Sequence, residues 1–272
     1  MKDNARGMRG SWVTLLVAGS LLAGCSAQTD DGASRQSGPP SARTSPSAGA
    51  TPSDGSSAAA SVFTPDASLV PRTSKDGRRL AESVVLAPRD WGQGFVAQDP
   101  GESTPGTWAV LNESCRWQRE TLPHGVLASA SRYSRLPAGA GKGAVEVTAV
   151  ATVHASALGA DEQLSTTLEE VLRCPEQRPR SDERITGLMS LGTPFGARGQ
   201  EYGDDYVVEA GDYVGSGGAA QPYRWMVARL GTVVVAVSVT GAKGNTAQEL
   251  EQLGSKALAQ MLTRIEQRLK EK

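Results

Sequence analysis

The sequence predicts an α+β domain, an antiparallel β-sheet flanked by helices, that follows a long segment with no fold of its own. Three observations predict it. Beyond about residue 79, runs of period-two alternation appear, clearest in Val145, Val147, Ala149, Ala151 and Val153, and Pro and Gly punctuate them. Two later stretches switch to helical spacing. The strands come in runs with helices between and after them, which favours an antiparallel sheet over the strict alternation of a parallel one.

The chain opens with Lys2, Arg6 and Arg9, then the apolar run 13–22 and the small pair Ala23-Gly24. A run of about ten apolar residues is half of what a spanning helix needs, so it reads as the removable core of a secretory leader. Leu22-Ala23-Gly24-Cys25 matches the lipobox of bacterial lipoproteins. The match implies a diacylglyceryl group on the Cys25 thiol, with Leu22, Ala23 and Gly24 as the signal-peptidase recognition residues and cleavage before Cys25. The competing reading is an ordinary leader with a cysteine near its cleavage site. Membrane lipid is thus the first expected partner, with palmitate among the acyl chains, on the extracytoplasmic face of the cell membrane.

Removal of residues 1–24 leaves 25 basic and 28 acidic side chains. Nothing in that balance attracts nucleic acid, which export makes an implausible partner in any case. Residues 25–76 are rich in Ser, Thr, Pro, Gly and Ala and almost devoid of large apolar side chains, so they cannot bury enough surface to offset their ordering entropy. They read as a disordered tether, and residues 77–272 as one domain. Ser, Thr and Pro would also suit glycosylation of the tether.

Within the domain, strands are expected over residues 107–120, 125–136 and 143–155. A helix follows over 161–174, with Leu164, Leu168, Val171 and Leu172 on one face, Asp161 as N-cap and Pro175 as stop. Strands return over 184–191, 205–213, 223–230 and 232–240, the last two turning at Gly231, and Val233-Val234-Val235 marks the most buried of them. A closing helix over 246–269 carries Leu250, Leu253, Ala257, Leu258, Met261, Leu262, Ile265 and Leu269 on one face.

With Cys25 assigned to lipid, Cys115 and Cys174 are left, and two thiols in an oxidising compartment are expected to pair. The rival is a catalytic thiol working with His124 or His154, whose spacing fits no nucleophile signature. His124, between Pro123 and Gly125, reads as a solvated turn residue, and His154 as an ordinary strand end. Two distant histidines do not assemble a zinc site, and no cofactor is expected. Gly139–Lys142 lacks the spacing of a phosphate loop, and Gly215-Ser216-Gly217 that of a nucleophile elbow. Glu201, Asp204 and Asp205 read as a solvated acidic turn, with presentation of a cation or a sugar as the alternative. Trp91, Trp117, Tyr202, Tyr206 and Trp225 are the candidates to line a ligand cleft, against a default of core packing.

The order Ala87-Pro88-Arg89-Asp90-Trp91-Gly92-Gln93-Gly94-Phe95, then Cys115-Arg116-Trp117, a strand pair, a helix ending at Cys174 and a terminal valine hairpin plus helix resembles the extracellular sensor domain of actinobacterial, mycobacterial-type serine/threonine protein kinases. The resemblance covers roughly residues 80–270. It implies an antiparallel sheet flanked by helices, a disulfide-stabilised body and a cleft for a ligand. Such sensor domains usually carry two disulfides, whereas this chain can form only one. The first expectation is therefore a non-catalytic, ligand-binding or sensor-like envelope lipoprotein taking a small molecule or cell-wall fragment, with signals passed through an envelope protein partner. A structural or protein-interaction lipoprotein is the alternative. A secreted hydrolase ranks third, since no nucleophile-base pair is visible in the sequence.

Overall fold

A computed structural model describes residues 63–192 and 203–270. Cys25, its lipobox neighbours and Tyr202 lie outside the described residues.

The chain enters through α1 (Ser74–Val84), whose N-cap Thr73 accepts the Asp76 N–H, and a single turn α2 (Pro88–Trp91). Strands β1 (Val96–Glu102), β2 (Thr107–Leu111), β3 (Trp117–Thr121), β4 (Val126–Leu136) and β5 (Val145–His154) precede α3 (Ala157–Arg173). Then come β6 (Arg184–Gly192), β7 (Asp205–Val214), β8 (Ala220–Leu230), β9 (Val233–Thr240) and α4 (Ala247–Leu269). Seven strands form one sheet in the order β1-β4-β5-β9-β8-β7-β6, every neighbour antiparallel, and β2-β3 is a separate hairpin. The fold is the expected α+β class.

Alternation gives the sheet two different faces. Val145, Val147, Ala149, Ala151 and Val153 of β5 point to one side with Val233, Val235, Val237 and Val239 of β9, and α1 and α4 cover them. Helix α4 presents Leu250, Ala257, Leu258, Met261, Leu262, Ile265 and Leu269 to that face, close to the predicted stripe. Its capping box, Thr246 with Glu249, starts it where the sequence indicated. Gly254 lets it approach, because a Cβ there would stand 2.9 Å from the Met226 sulfur.

On the opposite face α3 packs Ala160 and Leu164 over Val207, Val227, Val234 and Ala236. This helix starts a turn earlier than expected. Ser156, extended and with its hydroxyl accepting the Gly159 N–H at 3.1 Å, supplies the cap that was assigned to Asp161. Leu168 and Leu172 do not join the buried stripe and are 38% and 84% exposed. Residues 107–120, expected as one strand, are a hairpin instead. Asn112 closes its turn, its side-chain oxygen accepting the N–H groups of Ser114 and Arg116, and Cys115 takes a left-handed φ of 57°. The sequence reading named no element for α1, α2 or β1.

Candidate functional site

Helix α3 covers only part of its face. Along β9 the residues on that side change from Val234 and Ala236, beneath the helix, to Ser238 and Thr240, beyond it. Along β5 the same face carries Val150, Thr148 and Glu146, and along β4 it carries Ser131 and Tyr133. These side chains floor a cleft of about 400 Å³. Its walls are the β2-β3 hairpin, the segment around Pro179–Glu183, and the rings of Tyr213, Tyr223 and Trp225.

The hairpin wall is held by the bridge between Cys115 and Cys174, whose Cα atoms are 5.5 Å apart. A link across 59 residues stabilises by about 4 kcal/mol on the chain-entropy account. Both sulfurs are thereby committed, which removes the thiol-nucleophile reading. The chain next to Cys115 pairs with the segment following Cys174: the Trp117 N–H donates to the Arg178 carbonyl at 3.0 Å, and the Arg178 N–H to the Cys115 carbonyl at 2.8 Å. The Trp117 indole N–H then donates to the buried Gln177 side chain at 2.8 Å, which fixes the ring in the wall. Trp117 and Trp225 stand with centroids 6.4 Å apart and planes tilted by 55°.

Charge is arranged on two sides. Arg119 is held by Thr107, whose hydroxyl and carbonyl each accept at 2.8 Å, and its remaining nitrogen faces Tyr133 and Ser131 at 3.4 and 3.5 Å. It has no carboxylate partner among the described residues. Opposite, Arg180 is hydrogen-bonded to Glu183, and the Tyr213 phenol feels the same carboxylate. Burial, then the neighbouring carboxylates, raises the Tyr213 phenol above its ordinary range, so it acts as a neutral hydroxyl. Glu146 contributes to the field at Arg180 and Tyr213 but makes no hydrogen bond or ion pair of its own among the described residues. The cleft therefore offers flat aromatic faces, small hydroxyls, a guanidinium without a carboxylate partner among the described residues and a free carboxylate acceptor. That set suits a polar ligand with an apolar face.

Behind Trp225 lies a second electrostatic feature. Glu209, directly across the strand pair from Trp225, is 3% exposed, and its Oε1 has no partner among the described residues. Burial, then the charge of Glu170 on α3, pushes its carboxyl up to about 8. Burial likewise raises Glu170 to about 7, against the lowering pull of Arg173. Both carboxyls are thus biased toward the protonated form at the seam between α3 and β7.

Of the aromatic candidates named from sequence, Trp117 and Trp225 line the cleft together. Trp91 and Tyr206 do not, and their cleft assignment is corrected. Trp91 is 4% exposed on the α1/α4 side, stacked on Phe95 at 6.2 Å. Tyr206 packs into the same core, with its hydroxyl on Ser255 of α4. The cause is strand parity: Tyr206 alternates with Val207, and only the odd member of that pair faces α3. His124 is exposed in its turn, and His154 is buried with Nε2 donating to Gln163 at 2.7 Å; neither belongs to the lining. Asp204 of the acidic turn accepts from Arg229 at 3.0 Å and from the Gly231 N–H at 2.7 Å, so it serves the fold. Among the described residues no cluster of His, Cys, Asp and Glu is arranged to hold a metal ion, and no helix is long and apolar enough to cross a membrane. Sequence reasoning missed Tyr133, Tyr213, Tyr223, Arg119 and Glu146. The signal available was the change from Val/Ala to Ser/Thr along one parity of β9.

No protein-family model matches the chain, and no curated protein matches it. Among solved structures it is similar to the extracellular domain of PknH from Mycobacterium tuberculosis, at 12% identity and a TM-score of 0.45, over 73% of this chain and 98% of that one. It is also similar to an uncharacterised protein from Mycobacterium smegmatis, an ortholog of Rv0999, at 11% identity and a TM-score of 0.33, over 63% of this chain and 90% of that one.

Proposed function

We propose that this chain is an extracytoplasmic lipoprotein, anchored through lipid on Cys25, whose α+β domain is a non-catalytic, sensor-like body that takes a small-molecule or cell-wall ligand in the cleft. One observation carries the reading: α3 leaves part of its sheet face open, and that part is lined by aromatic rings, hydroxyls, Arg119 and Glu146. A saccharide-bearing wall fragment matches this lining, since its rings stack on Trp and its hydroxyls both donate and accept. The alternative, a structural or protein-interaction lipoprotein, draws support from the apolar side chains of Leu158, Leu172, Met189 and Leu191, all more than half exposed on α3 and β6.

The test is a thermal-shift screen of the full chain carrying Cys25→Ser against soluble wall fragments and small lipids. A fragment that binds raises the melting temperature in proportion to the logarithm of its concentration. Glu146→Gln, which breaks no side-chain hydrogen bond or ion pair among the described residues, should weaken that ligand about tenfold, equivalent to about 1.4 kcal/mol. Trp225→Ala should abolish the shift. A screen without a single response, or an undiminished response in both variants, would sink the cleft reading and leave the interaction reading.

A further inference from the structure

On the other side of the sheet, away from the cleft, α2, β4 and α4 enclose an open basin of about 460 Å³. Four arginines line it: Arg89 from α2, Arg132 from β4, and Arg264 and Arg268 one turn apart on α4. Two of them are fixed by the fold. Arg132 donates to the Val85 carbonyl at 3.0 Å and Arg264 to the Val84 carbonyl at 3.3 Å, so both cap the carboxyl end of α1, where unpaired carbonyls favour cations. The one carboxylate in the lining is Asp90, and both its oxygens are engaged. Oδ1 accepts from Arg264 at 2.9 Å and Oδ2 from the Ala87 N–H at 2.8 Å. Glu102, 68% exposed, pairs with Arg132 from outside the lining. Arg89 and Arg268 are exposed and have no hydrogen bond or ion pair among the described residues. Positive charge therefore remains in excess over the basin after every internal pair is made.

We propose that this basin is a binding site for a phosphate-type oxyanion, with Arg132 and Arg264 as the fixed wall and Arg89 and Arg268 as the free guanidinium groups that close on it. Guanidinium forks match phosphate oxygens in pairs, and arginines already held by backbone carbonyls lose little freedom on binding. The basin has room for a phosphate with an attached group. It also lies at the end of the domain where the amino-terminal segment joins: the Asp66 N–H donates to the Leu269 carbonyl at 2.8 Å, and Lys270 sits over the Phe63 ring at 5.9 Å. A lipid headgroup and a soluble phosphate share the chemistry, and the experiment separates them.

The full chain carrying Cys25→Ser is titrated with inorganic phosphate at constant ionic strength, with chloride as the reference, and binding is read by thermal shift and calorimetry. The double variant Arg89→Ala/Arg268→Ala breaks no internal contact and should melt as the parent does. It should bind phosphate about tenfold more weakly or not at all. Sedimentation with phosphatidylglycerol vesicles, against phosphatidylcholine vesicles, reads the source. Arginine-dependent vesicle binding that phosphate competes away assigns a headgroup, whereas phosphate binding without vesicle binding assigns a soluble phosphate. A parent chain that responds to phosphate no more than to chloride, or a double variant that responds equally, overturns the site.

Discussion

At Glu209 the chemistry of a single side chain makes stability depend on pH. Its carboxyl sits at about 8 in the folded state, and that of an unfolded chain near the ordinary carboxylate value. A folded value raised in this way means that Glu209 imposes no penalty at pH below about 4, where both states are protonated. Stability is then lost progressively as pH rises from the unfolded value to the folded one, because across that window only the unfolded chain ionises freely, and the loss is complete above it. Glu170 adds a loss of the same sign, spread between the ordinary carboxylate value and about 7. Glu209→Gln keeps the shape and removes the titration. It should change stability little at pH 4 and raise it by about 2 kcal/mol at pH 8.5, measured by urea denaturation at the two pH values. A gain of equal size at both would show that charge is not the cause. The sequence hid this pair, since Glu170 and Glu209 lie on different elements and neither stands in a motif.

Among the elements, α1 is one of three that the sequence left unassigned, and Gly77 shows how closely it packs. A glycine inside a helix costs about 1 kcal/mol relative to alanine, so on propensity alone Gly77→Ala should stabilise. Sterics decide otherwise. An added Cβ would lie 2.8 Å from the Leu127 Cβ of β4, an atom at the stem of its side chain that cannot swing away. Helix α1 would have to lift from the sheet, and overpacking of that kind costs about 1–3 kcal/mol. Set against the propensity gain, this leaves a net destabilisation of up to about 2 kcal/mol in a denaturant titration, and a more stable variant would contradict the packing of α1 on β4. The strands β4, β5, β7, β8 and β9 and helix α4 were legible because burial on one face imposes a regular period. The β2-β3 hairpin was not, because its turn is made by one Asn side chain and a left-handed Cys115 inside an otherwise alternating run.

At the scale of the whole molecule, the proposed function divides the work between an anchor at Cys25, a tether and the domain. Two acyl chains on one cysteine hold a protein stably to a bilayer, whereas one chain holds it marginally. Cys25→Ala should therefore move the protein from the membrane fraction to the soluble fraction and abolish labelling by a palmitate analogue. Label that persists in the variant would refute lipidation at Cys25. Within the domain, the Cys115–Cys174 bridge and the strand-to-loop pairing beside it tie the hairpin wall of the cleft to the body.

By itself the sequence determined the class of fold, the two helices of strongest period, most strands of the sheet, and the pairing partners left once Cys25 is set aside. These follow from local period and from a count of thiols, which need no knowledge of neighbours. Tertiary structure alone decided which aromatics share a cleft, that Trp91 and Tyr206 belong to the opposite face, that Glu209 is buried beside Glu170, and that four arginines from three elements meet in one basin. Each of these depends on strand order and parity in a sheet whose neighbours, such as β5 and β9, are distant along the chain. Periodicity tells a side chain to leave the solvent; only the assembled sheet fixes what it meets there.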